Sequence, residues 1–342
     1  MSVDRYARQS QFQGIGADGQ QAISQTSVLV CGCGALGSMI ANLLARAGVG
    51  KLRVVDRDFV ELNNLQRQTL YDEHDVTSAL PKAVAAANRL RKINSSIEIE
   101  PIVADITAHN MADLIQDIDL IADGTDNFET RFLLNDAAHR WQLPWVFGGC
   151  IGAEGQVMVI RPGHTPCFRC LVPQPPPLDA TPTCDTTGVT GPIVGVIASL
   201  QAMELLKLAA GRAAHCNRQL MVVDLWDNRL REVDLSRLAD NPGCPTCGQG
   251  DFEWLEGRRG SQAEVLCGRN AVQVSAEPGT AVSFDELQAK VKSVGRVVRN
   301  EFLLRLFVDD YVVTVFTDGR AIVAGTDDPA QARIVYARYV GH

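Results

Sequence analysis

The sequence predicts an α/β protein in which a doubly wound, mostly parallel, Rossmann-like sheet is followed by a small α+β unit. Three observations carry that expectation. The apolar run Ser27 to Cys31 empties into the turn Gly32-Cys33-Gly34-Ala35-Leu36-Gly37, and a helical stretch follows that ends at Gly48. Short apolar runs then alternate with helical stretches as far as residue 160, the βαβ rhythm of a parallel sheet with helices on both faces. After residue 262 the pattern changes to short strand-like runs with one helical stretch among them and one at the end.

A chain of 342 residues has room for one large domain and a small one, expected at 1–250 and 263–342. The 46% hydrophobic and 21% charged content is ordinary for a globular enzyme. A net charge of -8 and a pI near 5.3 argue against sequence-independent binding to nucleic acid or to an anionic membrane, both of which need basic surface. Met1 to Tyr6 lacks the basic start and apolar core of a secretory signal, and no uninterrupted apolar run of about 18 residues occurs, so a cytoplasmic protein is expected. In that compartment the ten cysteines are expected to divide among metal ligands, a reactive thiol and buried small hydrophobes.

Residues 1–26 form a polar arm, which either packs across the sheet edge or brings Arg8 to an active site. Gly32, Gly34 and Gly37 then make a G-x-G-x-x-G turn, which offers backbone N–H groups and a helix N-terminus to a phosphate. The next strand, Leu52 to Val55, delivers Asp56 nineteen positions after Gly37, where such folds place the carboxylate that accepts from a ribose. A nicotinamide dehydrogenase and an ATP-using enzyme both need these parts. The following segment, 57–70, is dense in amide and guanidinium donors, among them Asn64 and Arg67, and Lys82 opens the helical stretch 82–91. Two cations beside a phosphate turn suit a triphosphate better than a nicotinamide. Strand-like 97–102 and 118–123 follow, the second running into Gly124-Thr125-Asp126-Asn127. Ligands of such folds bind at the carboxyl ends of the strands, so Asp126 is a candidate Mg²⁺ ligand; its alternative role is to cap the helix from Phe128 to His139.

After strand-like 144–150 and 156–160 comes Cys167-Phe168-Arg169-Cys170, whose twin is Cys244-Pro245-Thr246-Cys247. Cys167, Cys170, Cys244 and Cys247 can give tetrahedral Zn²⁺ four thiolates, fastening loops 73 residues apart and leaving no open position, so the metal is structural. Between the pairs runs a proline-rich crossover, 171–189, too rich in proline for helix or central strand. Cys184 lies on it, just ahead of the apolar helix Ile193 to Ala210, and is a candidate nucleophile. Cys31, Cys33, Cys150, Cys216 and Cys267 lack such context.

Arg5-Tyr6-Ala7-Arg8-Gln9, the glycine turn, Asn64 to Gln68, Pro81-Lys82, Thr125-Asp126-Asn127, the paired C-x-x-C units and Gly195 to Glu204 occur in order over residues 4–248. Together they resemble the adenylyltransferases that activate ubiquitin-like sulfur carriers, the ThiF/MoeB/HesA family. The resemblance implies a homodimer that binds ATP with Mg²⁺ and joins AMP to the C-terminal glycine of a carrier ending in Gly-Gly, with release of pyrophosphate. It implies that the turn holds phosphate, Asp56 the ribose, and Asn64, Arg67 and Lys82 the phosphates, with Asp126 on Mg²⁺ and Arg8 crossing to the partner's ATP. Cys184 resembles the crossover cysteine that the thiazole branch links to the carrier during sulfur handling, where a sulfur donor protein would also take part. The tail is not a rhodanese, because Cys267-Gly268-Arg269-Asn270 offers no Cys-x4-Arg loop, and similar tails on thiazole-type members point to thiamine biosynthesis. The alternatives are a molybdopterin-type carrier activator, an NAD-dependent dehydrogenase and a non-catalytic zinc scaffold.

Overall fold

The structure is a computed structural model that describes residues 5–176, 187–239, 241–259, 263–266, 270–274 and 282–341. Cys184 and Cys267 lie outside the described residues. The chain divides into two units, Met1–Arg259 and Gly260–His342.

The first unit is built on eight strands: β1 Ser27–Cys31, β2 Lys51–Val55, β3 Glu98–Ile102, β4 Leu120–Asp123, β5 Trp145–Ile151, β6 Glu154–Ile160, β7 Leu220–Asp224 and β8 Arg229–Val233. They run in the order β3-β2-β1-β4-β5-β6-β7-β8. The first five are parallel, Val30 standing between Val54 and Ala122, and β5 to β8 continue the sheet as antiparallel neighbours. The expected parallel sheet is present, with an antiparallel extension. Strand order reverses between β1 and β4, the switch point at which such sheets bind ligands.

Helices cover both faces. They are α1 Ala7–Ser10, α2 Gly16–Ile23, α3 Ala35–Ala47, α4 Glu73–Thr77, α5 Lys82–Ile93, α6 Met111–Leu114, α7 Phe128–Trp141, α8 Phe168–Leu171 and α9 Gly191–Ala209. Alternation along the strands sorts the core: Val28, Val30, Val54 and Ala122 face α3, α5 and α9, while Leu29, Cys31, Val55 and Ile121 face α6 and α7. In α3, Ile40 and Leu44 fall one turn apart on the buried stripe, each worth roughly 1.5–3 kcal/mol of burial. Gly48, at φ +82°, ends that helix in the left-handed conformation a side chain resists. By mean hydropathy α9 could cross a membrane, but it packs on α3, β5 and β6 with Gln201 and Glu204 buried, as a core helix does.

The second unit has six antiparallel strands: β9 Ala263–Leu266, β10 Ala271–Val274, β11 Arg296–Arg299, β12 Leu303–Val308, β13 Tyr311–Phe316 and β14 Ala321–Ala324, in the order β11-β12-β13-β14-β10-β9. α10 Phe284–Val291 and α11 Pro329–Tyr339 give Leu287, Val291, Val335 and Tyr336 to a core with Leu304, Leu306, Val313 and Val323. Ser283 and Asp328 cap the two helices.

Candidate active site

The glycine turn is held by close approach. Gly32 has φ +78°, and a Cβ there would lie 2.8 Å from the carbonyl oxygen of Gly124 at the end of β4. A Cβ on Gly37 would lie 1.9 Å from the Gly32 carbonyl oxygen, and one on Gly124 would lie 2.7 Å from the Gly37 Cα. These three glycines interlock the turn with β4. Gly34 differs: the nearest atom to a Cβ there is Gln68 Nε2 at 3.8 Å. Gly34 is the N-cap residue of α3, so the space it leaves lies beside the unsatisfied N–H groups of the first helical turn, which is a cradle for an anion.

The residues after β2 ring this cradle. Asp56 is buried, and its carboxylate accepts from Cys33 N (2.6 Å) and Asp58 N (2.7 Å). Burial pushes its carboxyl up, while the nearby Lys82 ammonium and these hydrogen bonds draw it down. Lys82 is 3% exposed and pairs with Asp58 at 3.0 Å. Asn64 is buried in a short helical turn, its Oδ1 accepting from Glu61 N at 3.1 Å. Arg67 donates to the Asn63 carbonyl at 2.9 Å and meets no carboxylate among the described residues. Gln68, outside the sequence-derived set, is 3% exposed with Oε1 unbonded, and its amide faces the Gly34 space. Its place in Asn64-Leu65-Gln66-Arg67-Gln68, one residue after Arg67, was the available signal.

Asp126 follows the end of β4 by three residues and is exposed, without a cation partner among the described residues. It is not the helix cap: Asn127 is, accepting from Thr130 N at 2.8 Å. Arg8 is not brought to the site of its own chain. Its neighbours bind the far ends of helices, Gln9 to the Ala47 carbonyl (2.9 Å) and Arg5 to the Ile93 carbonyl (2.8 Å). The turn sits at the other end of α3, whose thirteen residues span about 20 Å at 1.5 Å each. Arg8 is exposed there and pairs with no acid among the described residues.

The four knuckle cysteines converge. Sγ–Sγ distances are 3.7 Å for Cys167–Cys170, 3.5 Å for Cys167–Cys244 and 3.4 Å for Cys170–Cys247, and all four sulfurs lie within 4.8 Å of one another. A tetrahedron with Zn–S bonds near 2.3 Å has edges of about 3.8 Å, so the set fits zinc with small adjustment. None is in a disulfide. Hydrogen bonds within the set hold the Cys170 thiol down, to about 2, and drive Cys167 well up. α7 grips both knuckles. Asn135 Oδ1 accepts from Phe168 N (2.8 Å), and Asp136 accepts from Thr246 Oγ1 (2.7 Å) and Trp254 N (2.9 Å). Asp136 is fully buried, which raises its carboxyl to about 6 against the pull of those hydrogen bonds.

Residues 6–246 match the profile of the ThiF family. The sulfur carrier protein ThiS adenylyltransferase of Bacillus subtilis is 41% identical over 342 residues, covering 98% of this chain and 99% of that protein. The sulfur carrier protein adenylyltransferase of Thermus thermophilus is 39% identical over 251 residues, 72% of this chain and 91% of that one. The adenylyltransferase and sulfurtransferase MOCS3 of Sus scrofa is 39% identical over 267 residues, which is 77% of this chain but only 58% of that protein. Among solved structures, E. coli MccB with ATP superposes with a TM-score of 0.61 at 22% identity, over 72% of this chain and 75% of that one, a likeness of fold.

Proposed function

The chain belongs to the ThiF family, and on that premise we propose that it adenylates the C-terminal glycine of a small ubiquitin-like sulfur carrier at the expense of ATP, for sulfur incorporation into the thiazole of thiamine. The observation that carries this reading is the end-to-end relation to a ThiS adenylyltransferase, which covers 98% of this chain and so takes in the second unit, whereas the match to MOCS3 covers 77% of it. That reach favours the thiamine carrier over the molybdopterin-type alternative. A dehydrogenase or an idle scaffold has no use for a cradle ringed by Arg67, Lys82 and Asp126.

In the reaction a carboxylate oxygen of the terminal glycine attacks the α-phosphorus of ATP. The bond from that phosphorus to the oxygen bridging it to the β-phosphate breaks, and pyrophosphate leaves with the electron pair. Charge grows on the leaving group, so cations aimed at it supply the catalysis. Arg67 suits this role because its charge meets no carboxylate among the described residues; Lys82 would exchange part of its pairing with Asp58 for phosphate. Asn64 and the α3 N-terminus hold phosphate oxygens, and Asp56 accepts from the ribose. Asp126 would hold Mg²⁺, which neutralises phosphate charge when bound. Arg8, remote from its own turn, would serve a second copy in a homodimer. Cys184 would meet the activated carrier after adenylation, with a sulfur donor protein supplying the sulfur. The enzyme is proposed to work in the cytoplasm.

Incubating the protein with ATP, Mg²⁺ and candidate Gly-Gly carriers, then weighing the carriers, tests the assignment. A thiamine-type carrier gaining the mass of one AMP minus water is the expected result. If only a molybdopterin-type carrier gains it, the alternative stands.

A further inference from the structure

Thr125, the residue before Asp126, is pinned at three atoms. Its N–H and its hydroxyl both donate to Asp123 Oδ1, at 2.9 and 2.6 Å, and its carbonyl accepts from Arg131 Nη2 at 2.8 Å. Arg131 stands one turn into α7 and reaches back beneath the loop, where Nη2 also meets the Gly148 carbonyl at 3.3 Å and Nε lies 3.6 Å from Asp123 Oδ2. Its guanidinium lies over Phe128 and Phe147, with centroid distances of 5.7 and 5.2 Å. Asp123 is fully buried and Arg131 nearly so, an expensive pair to desolvate at the carboxyl end of β4. Each holds the same short loop, and Asn127 pins its other side. The Asp126 carboxylate between these anchors accepts no hydrogen bond among the described residues, so its placement depends on the backbone that carries it.

We propose that Arg131, acting with Asp123, is a positioning residue that aims the Asp126 carboxylate at the metal of ATP·Mg²⁺. The proposal rests on the reading of Asp126 as the metal ligand and goes beyond it by naming what aims that ligand. The planar fork is required, because one guanidinium nitrogen spans a carbonyl of the loop after β4 and one of β5 while Nε faces Asp123. An ammonium in its place is a point charge without that fork.

The test is Mn²⁺ binding, followed by electron paramagnetic resonance, to the full-length protein saturated with a non-hydrolysable ATP analogue, with chain folding checked by circular dichroism and zinc by elemental analysis. Asp126→Asn should abolish protein-dependent tightening of Mn²⁺. Arg131→Gln should weaken it roughly 10- to 100-fold, as loss of groups behind a metal ligand does, and Arg131→Lys should recover part of it. Thr125→Val, which keeps shape and loses one bond to Asp123, should weaken it in the same direction by a smaller factor, and decides the matter if Arg131→Gln does not fold. Wild-type Mn²⁺ affinity in folded Arg131→Gln, or in Thr125→Val should the former not fold, overturns the proposal while Asp126→Asn loses it. Wild-type affinity in Asp126→Asn overturns the metal-ligand reading itself.

Discussion

α7 serves two polar clusters that differ in how far they close on themselves. Toward its C-terminal half, Asn135 and Asp136 hold knuckles whose four thiols fill a tetrahedron, and nothing is left over for a substrate. The nucleotide site proposed near its N-terminus would use Arg67 and Asp126, which meet no opposite charge among the described residues, and a glycine that leaves space rather than filling it. A closed cluster contributes to the folded state. An open one stores unspent valence for a ligand, so substitutions should separate: in the first they change stability, in the second they change binding and rate.

The largest effect is expected from the metal. Removing zinc with a chelator, or Cys244→Ser, should cost at least about 4 kcal/mol of stability, which lowers Tm by roughly 10 °C for a unit of this size. ATP binding below the new transition should stay within about threefold of wild type, since no coordination position is open for chemistry. Calorimetry with elemental analysis checks it. Zinc-free protein with an unaltered Tm and no ATP binding would break the comparison, for the closed cluster would then act on the open one.

Next in size is Arg67→Ala, with an expected loss of about two to three powers of ten in carrier-dependent pyrophosphate exchange if the side chain meets charge in the transition state. The only hydrogen bond of its side chain among the described residues is to one carbonyl, so Tm should move by less than about 2 °C. Undiminished exchange removes the role; a large fall in Tm would place Arg67 among the structural groups.

The difference between the clusters also explains what could be read in advance. Cysteine pairs and a glycine turn are local patterns whose chemistry is carried by residue type and spacing, so Cys167, Cys170, Cys244, Cys247, Gly32, Gly34 and Gly37 stand out in the sequence, and the structure brings them together as expected. Asp123, Arg131 and Gln201 do not stand out. Asp123 ends an apolar strand, Arg131 sits in a polar helix, and Gln201 lies on the apolar α9, where its Nε2 donates to the Asp123 and Val146 carbonyls at 2.9 and 3.1 Å. Their meaning comes from elements 8 to 78 residues apart meeting at one strand end. β8 and β11 were illegible for another reason: Arg229 to Val233 is exposed along its whole length and Arg296 to Arg299 nearly so, and an edge strand without a buried face has no alternation to betray it. The helix cap, Asn127 in place of Asp126, turned on one residue, within the ordinary uncertainty of helix ends.

The smallest effect expected here is also the sharpest test of open against closed, because it compares two glycines of one turn. At Gly37 an added methyl would meet the Gly32 carbonyl at 1.9 Å, so substitution there acts on the fold. At Gly34 the nearest atom is 3.8 Å away and belongs to a side-chain amide, so the chain itself has room for a methyl. Gly34→Ala should therefore cost only about 1 kcal/mol, mostly backbone conformation, and shift Tm by roughly 2–4 °C. An incoming phosphate needs that same space to reach the N–H groups of the first turn of α3, and a methyl would hold it off by about the radius of a carbon atom. ATP affinity should fall about tenfold, the worth of one or two charge-assisted hydrogen bonds to backbone N–H. Isothermal titration with a non-hydrolysable analogue, beside a thermal melt of the same sample, separates the two terms. Wild-type affinity would mean that the space beside Gly34 is not where the phosphates lie, and the cradle would have to be sought elsewhere around the switch point.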